Sequence, residues 1–291
     1  MFPLESVPNF SVGRERGTID AIAAALTDGG ARLLDVHSDG DHNRSVFTLV
    51  GSEAELVDGL VGGVARAREL IDLRRHGGAH PRIGAADVVP LVPIRPEDME
   101  RARGVSLEVG ARIGDLGLPV FLYGAPGRGP AYFRQGGPER LQERIDGGEL
   151  IPDFGPGRVD PSAGAVLVGA RRPLIAFNVN LHSEDVEVAR AIAGAVRERD
   201  GGFPGVRALG LDLPRAGLVQ VSMNVEDWEA TALHMIVARI ADEAAARGVE
   251  VAGSELVGLM PAGAAAAAAG TLLRIDRFDA SRVLELRLLE D

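Results

Sequence analysis

The sequence predicts an α/β protein of the α+β kind, built from two subdomains that each run β-α-β-β-α-β. The same order of strand-like apolar runs and helix-period segments occurs twice along 291 residues. That order is the split pattern of ferredoxin-like units. At roughly 150 residues per domain, a chain of this length with 46% hydrophobic content forms two modest cores. The division falls near Arg171 to Leu174, giving an N-terminal subdomain over 1–172 and a C-terminal one over 173–291. Ligands are expected in a cleft or tunnel between them.

Each element has a local justification. Leu4 to Asn9 reads as a strand, and Ile19, Ile22, Ala23 and Leu26 mark a helix that Gly29-Gly30 stops. Arg32 to His37 and Ser45 to Val50 read as strands joined by a polar turn. Ser52-x-x-Glu55 is a capping box for a long helix to about Leu73, and Val88 to Val92 is a short apolar strand. A helix from Pro96 to about Leu116 and a strand from Val120 to Tyr123 extend the unit. The Gly- and Pro-rich stretch from Gly124 to Gly164 reads as long ordered loops rather than a core element. In the second unit Leu174 to Asn180 is a strand, and Ser183 caps a helix to about Arg199. Strands follow at Val206 to Leu211 and Leu218 to Asn224, then a helix from about Trp228 to Arg247 and a strand from Val249 to Ala252. Ala262 to Gly270 reads as a surface helix, and Thr271 to Leu289 as a strand plus a short helix.

Composition narrows the function. A formal net charge of −11 argues against a nucleic-acid partner and demands a local arginine cluster for any anionic ligand. The chain holds no cysteine and no lysine, which removes thiol nucleophiles, cysteine-bound metal, a Walker A loop and any lysine base. The N-terminus has no signal-peptide pattern and no apolar run approaches the ~20 residues of a membrane span, so a cytoplasmic location without membrane attachment is expected.

The densest chemistry lies in Arg74-Arg75-His76-Gly77-Gly78-Ala79-His80-Pro81-Arg82-Ile83-Gly84-Ala85-Ala86-Asp87. His76-x-x-x-His80 has the spacing of a zinc helix, but Gly77, Gly78 and Pro81 oppose a helix, so no metal site is expected. The stretch instead reads as a shaped loop presenting an imidazole, and local sequence does not separate His76 from His80. His37, Asp39, Asn43 and Arg44 surround a strand-end turn, where polar functional groups collect. The glycine runs at Gly124 to Gly129 and Asp153 to Gly164 lack the spacing of a phosphate cradle and suit a backbone-lined groove for a flat ligand.

Taken together, several motifs resemble the formiminotransferase family, whose transferase is glutamate formimidoyltransferase. They are Val7-Pro8-Asn9-Phe10-Ser11-x-Gly13, Asn43-Arg44-Ser45-Val46 and His76-x-Gly78-x-His80-Pro81-Arg82-x-Gly84-Ala85. Tyr123-Gly124, Asp153-Phe154-Gly155-Pro156, Ile175-Ala176-Phe177-Asn178-Val179-Asn180 and Gly253-Ser254-Glu255-Leu256-Val257-Gly258 continue the match across nearly the whole chain. The resemblance implies transfer of a formimino group from N-formimidoyl-L-glutamate to tetrahydrofolate, the co-substrate, in histidine degradation. It implies a stand-alone bacterial form that tends to dimerise, and it selects His80, the histidine before Pro-Arg, as catalytic. Folate contacts map onto Gly155, Pro156, Gly157, Arg158, Val159, Asp160, Pro161, Ser162, Ala163 and Gly164.

Arg44 and Arg82 are candidate counter-charges for substrate carboxylates, and Asn178 and Asn180 candidate hydrogen-bonding groups. His37, Asp39, Asn43 and His76 complete the set as substrate-contacting or supporting residues. The chain departs from the family at His37, where relatives end the strand in an acidic residue, and at Ala79, where some carry glutamate. An imidazole near its unperturbed pKa of about 6.5 can take a proton from the attacking nitrogen and return it to the leaving one. Two alternatives remain at this point: formyl transfer between 5-formyltetrahydrofolate and glutamate, or folate binding without turnover.

Overall fold

A computed structural model describes residues 2–125, 127–276 and 278–287. It divides into two compact units, the first ending at Arg172 and the second beginning at Pro173.

The first unit contains β1 (Leu4–Ser6), β2 (Asn9–Phe10), α1 (Arg16–Thr27), β3 (Arg32–Asp39), β4 (Arg44–Gly51) and α2 (Glu53–Leu70). It continues with β5 (Ala86–Pro93), α3 (Met99–Asp115), β6 (Val120–Leu122), α4 (Pro130–Arg134), α5 (Gly137–Asp146) and β7 (Val166–Ala170). The expected first strand is broken in two. Pro8 has no N–H to give to a ladder, yet both pieces lie between β4 and β5. The sheet therefore runs β3-β4-(β1/β2)-β5-β7-β6, with antiparallel pairs up to β5 and parallel pairs at β5–β7 and β6–β7.

Register divides the side chains of this sheet between two faces. Phe10, Phe47, Leu49, Val89 and Leu91 join Leu26, Leu56, Leu60 and Val64 of the helices in one core. The capping box predicted for α2 is present, with Ser52 and Glu55 bonded reciprocally. On the opposite face, Val88, Phe121 and Leu167 pack with Phe133 and Leu141. These last two correct the expectation of loops from Gly124 to Gly164. Pro130 starts α4 and Phe133 is fully buried, while left-handed Gly136 breaks the chain between the helices and left-handed Gly137 opens α5.

The second unit contains β8 (Ile175–Leu181), α6 (Val186–Val196), β9 (Val206–Leu213), β10 (Leu218–Val225), α7 (Leu233–Ala245), β11 (Val251–Val257), α8 (Ala262–Leu273) and α9 (Leu284–Arg287). Its sheet is antiparallel throughout, ordered β11-β8-β10-β9, the fourth-first-third-second order of a split β-α-β unit. Some boundaries differ from expectation. Asp185 caps α6 by accepting the Glu187 amide at 2.9 Å, and Ser183 instead accepts the Asp185 amide. Residues 227–231 form a turn in which Asp227 accepts the Ala230 amide, so α7 starts later than Trp228. α8 buries Ala264 and Ala266 against the core, which makes it more than a surface helix. Among the described residues from Thr271 to Arg287 no strand occurs, and the rest of that expected segment lies outside them.

Candidate functional site

The site in the first unit begins at the turn between β3 and β4. Asp39 Oδ1 accepts the His42 amide at 2.6 Å and shapes the turn. Asn43 sits at φ 46°, a left-handed conformation that asparagine tolerates better than most residues. From there its Oδ1 accepts the Gly13 amide at 2.9 Å and its Nδ2 donates to the Gly77 carbonyl at 3.1 Å. A Cβ on Gly13 would lie 2.0 Å from the Asp39 oxygen, so only glycine permits this approach. One asparagine thus ties the N-terminal segment, the hairpin turn and the histidine loop together.

Arg82 shapes that loop from within. Its guanidinium donates to the carbonyls of His42 (3.2 Å), Gly78 (3.0 Å) and His80, and its Nη1 meets the His76 ring at Nδ1. His76 Nε2 lies 3.0 Å from the Asn43 carbonyl. With Nδ1 accepting from Arg82, Nε2 carries the proton and donates to that carbonyl. Burial first, and then the Arg82 charge, push the His76 pKa down to about 4, so the ring is neutral. A Cβ on Gly78 would fall 2.2 Å from the His42 oxygen, which explains a glycine there. Arg82, expected as a substrate counter-charge, has its N–H groups turned onto its own loop.

His80 is half-buried, and its Nδ1 lies 2.8 Å from the Pro81 carbonyl oxygen. Its ring centroid is 6.0 Å from that of His42, which is buried. Burial, then the positive charges of Arg44 and Arg134, then His42 hold its pKa well below the usual imidazole value; the Pro81 hydrogen bond opposes them. This corrects the expectation of an unperturbed imidazole. Arg44 itself is pushed down to about 10 by burial and by Arg134, with Asp87 and Asp39 acting in the other direction. Asp87 is buried; its Oδ1 accepts the Ile83 amide at 2.7 Å and its Oδ2 lies 2.5 Å from Arg134 Nη2. A cavity of about 250 Å³ opens beside this cluster, lined by Leu73, His76, Gly77, Gly78, His80, Arg82 and Pro138.

The segment Gly155 to Gly164 runs alongside the histidine loop. Ala85 donates to the Ala163 carbonyl at 2.8 Å, Ala165 to Ile83 at 2.9 Å, and Leu73 to Ser162 at 2.8 Å. Asp160 Oδ1 accepts the Ser162 amide, the Ser162 hydroxyl and the Ala163 amide, each at 2.9 Å. Val159 donates its amide to Gln142 at 2.8 Å and is buried, as are Ala163 and Gly164. Pro156, Gly157, Arg158 and Pro161 remain exposed. His37 lies on β3 opposite Val46, on the same sheet face as the Asp39–Arg44 pair.

Asn178 and Asn180 belong to the second unit, on the face of β8 away from its helices. Asn178 donates to Glu255 at 2.9 Å and Asn180 accepts from Gln220 at 2.9 Å. Asp87 closes the histidine-loop stretch without a role marked by its local sequence, and Arg134 lies outside every motif. The aromatic pair Tyr132-Phe133 ahead of Arg134 was the available signal, because a buried anchor there places the next residue. Among the described residues, no group of three or more His, Asp or Glu could hold a metal ion, and no helix is long and apolar enough to cross a membrane.

Two family models match the chain: "Formiminotransferase domain, N-terminal subdomain" over residues 3–171, and "Formiminotransferase domain" over residues 176–282. A glutamate formimidoyltransferase of Streptococcus pyogenes is 40% identical over 98% of this chain and 98% of its own length. One from Thermoplasma acidophilum is 39% identical over 98% and 97%. The formimidoyltransferase-cyclodeaminase of Sus scrofa is 42% identical over 89% of this chain and 50% of its own length.

Proposed function

Because this chain belongs to the formiminotransferase family, we propose that it transfers the formimino group from N-formimidoyl-L-glutamate to tetrahydrofolate, giving 5-formimidoyltetrahydrofolate and glutamate. The observation that carries this reading is identity of 40% and 39% with two glutamate formimidoyltransferases, each over 98% of the chain. Histidine degradation is the pathway such a donor belongs to, and a cytoplasmic location fits it. Tetrahydrofolate is the acceptor substrate.

His80 is the proton carrier. N5 of tetrahydrofolate attacks the formimino carbon, and the nitrogen gives up its proton to His80 Nε2 as the new bond forms. The tetrahedral adduct then collapses, breaking the bond to the glutamate nitrogen, which takes the proton back from His80. An imidazole with a depressed pKa is a weaker base and a stronger acid, which favours the return step. Juxtaposing donor and acceptor supplies the larger part of the acceleration, since effective molarities reach about 10⁵–10⁸ M for well-oriented partners.

Supporting roles follow from the surroundings. The backbone of Gly155 to Gly164, braced by Asp160, offers a wall for the folate ring system beside the histidine loop. Arg44 serves as the counter-charge for a substrate carboxylate, and His76, Asn43, Asp39 and Arg82 hold the loop in shape. His37 contributes a hydrogen-bonding group to substrate, while Asn178 and Asn180 are engaged with Glu255 and Gln220 within the second unit. Incubating the enzyme with tetrahydrofolate and N-formimidoyl-L-glutamate and following the folate ultraviolet spectrum tests the reading. Formation of the formimidoyl product supports it. Reaction only with 5-formyltetrahydrofolate and glutamate, or binding without turnover, would replace it.

A further inference from the structure

The three guanidiniums of the site differ in what remains for a ligand. Arg82 is committed to the carbonyls of His42, Gly78 and His80 and to the His76 ring. Arg134 meets Asp87 through Nη2 alone, while its Nε is buried without a hydrogen-bond partner. Arg44 is half-buried on the sheet face that α4 helps to cover. Three guanidiniums are balanced by two carboxylates, Asp39 and Asp87, among the groups whose charges bear on Arg44 and His80. With His76 neutral, the partly desolvated chamber holds a surplus positive charge, which an anionic ligand would neutralise.

The position of that surplus selects the ligand group. Arg134 reaches the histidine loop through Asp87, whose Oδ1 accepts the Ile83 amide three residues after His80, and Arg44 lies two residues after His42, whose ring centroid is 6.0 Å from that of His80. In N-formimidoyl-glutamate the reacting nitrogen and the α-carboxylate share one carbon, whereas the side-chain carboxylate lies three bonds from that carbon. The carboxylate beside the proton carrier is therefore the α-carboxylate.

We propose that Arg134, working with Arg44, binds the α-carboxylate of the formimino donor, and that Asp87 orients Arg134 for this contact. The proposal rests on the transferase reading above and names the donor-recognising group within that site. Asp87 is suited to the orienting task because its other oxygen is fixed by the Ile83 amide, which ties the arginine's direction to the exit of the histidine loop. A planar guanidinium held on one edge leaves its remaining N–H groups in a fixed fork for a carboxylate.

The test is steady-state kinetics of Arg134→Gln and Arg134→Lys with three donors: N-formimidoyl-L-glutamate, N-formimidoyl-glycine and N-formimidoyl-4-aminobutyrate. The glycine compound keeps only the α-carboxylate, and the aminobutyrate compound only the distal one. Arg134→Gln is expected to raise KM roughly tenfold or more for the first two donors, with KM for tetrahydrofolate changed less than about twofold. Use of the aminobutyrate donor is expected to be unchanged. Arg134→Lys keeps the charge opposite Asp87, guards against misfolding, and should give a smaller rise confined to the same two donors. An equal rise for all three donors, a matching rise for tetrahydrofolate, or no rise at all would overturn the assignment while leaving the transferase reading intact. Absence of transfer by the wild-type enzyme with every donor would overturn both.

Discussion

The Nδ1 atom of His80 lies 2.8 Å from the carbonyl oxygen of Pro81, its neighbour in the chain. A carbonyl only accepts, so the ring proton of neutral His80 sits on Nδ1 and the lone pair on Nε2. The cyclic residue that follows the histidine restricts the backbone placing that acceptor. The tautomer is therefore fixed by two adjacent residues, without the carboxylate partner that orients many catalytic imidazoles.

Replacing His80 by alanine is expected to lower kcat by about 10²–10⁴-fold and to leave tetrahydrofolate affinity nearly unchanged. Turnover measured beside a folate titration checks this. Turnover within a few-fold of wild type would remove His80 from the proton-carrying role.

The acid limb of kcat/KM should lie below pH 6.5, because burial, Arg44 and Arg134 depress the His80 pKa. The base works when deprotonated, so activity stays level from neutral pH downward and falls only once the depressed pKa is approached. A limb at or above pH 6.5 in a pH–rate profile would contradict the electrostatics described.

His76 makes a stability prediction of definite sign. Its pKa is about 4 when folded and 6.5 as a free imidazole, so the unfolded chain binds the proton more readily. Its contribution is fully present above pH 6.5 and is lost as pH falls toward 4, by at most about 3.4 kcal/mol at 1.36 kcal/mol per unit. Urea unfolding of wild type and His76→Asn at pH 7 and pH 5 measures it. The gap between the two proteins should change by one to two kcal/mol, roughly, in the direction that wild type loses more.

Gly78→Ala should damage the loop by crowding alone, since the added carbon would meet the His42 carbonyl at 2.2 Å. Overpacking of this kind typically costs about 1–3 kcal/mol. Thermal unfolding should show that loss together with a lower kcat, and Gly77→Ala, with open space at its Cβ, should show neither.

Asp87→Asn removes the buried carboxylate that half-buried Arg134 faces. Removing one member of a buried pair costs about 3–5 kcal/mol. The same substitution in an Arg134→Gln background should cost less, and a double-mutant cycle by denaturant unfolding gives the difference. Equal costs in both backgrounds would mean the pair contributes nothing.

Much of this was legible in the sequence, because strand and helix order follows from periods of two and 3.6 that the apolar residues keep. The Ser52–Glu55 capping box and the hairpin from β3 to β4 are local signals of this kind. The stretch from Gly124 to Gly164 was not, since its glycines and prolines hid two short helices whose anchors, Phe133 and Leu141, are buried only by tertiary packing. The histidine loop was recognisable as a site, but its inner arrangement was not. Arg82 looked like a ligand group by composition, and only the positions of the His42, Gly78 and His80 carbonyls reveal it as a brace. Arg134 was illegible for the same reason, being joined to Asp87 across a long sequence separation.

Asn43 reaches the Gly13 amide 30 residues before it and the Gly77 carbonyl 34 residues after it. The first bond needs the N-terminal segment docked on the hairpin turn and the second needs the histidine loop docked there, so both closures belong late in folding. The Gly13 amide has a side-chain acceptor, and its hydrogen-exchange protection reports the docking of the N-terminal segment on the hairpin turn that also braces the histidine loop. Catalytic competence and slow exchange at Gly13 should accordingly emerge together during refolding, after bulk secondary structure has formed.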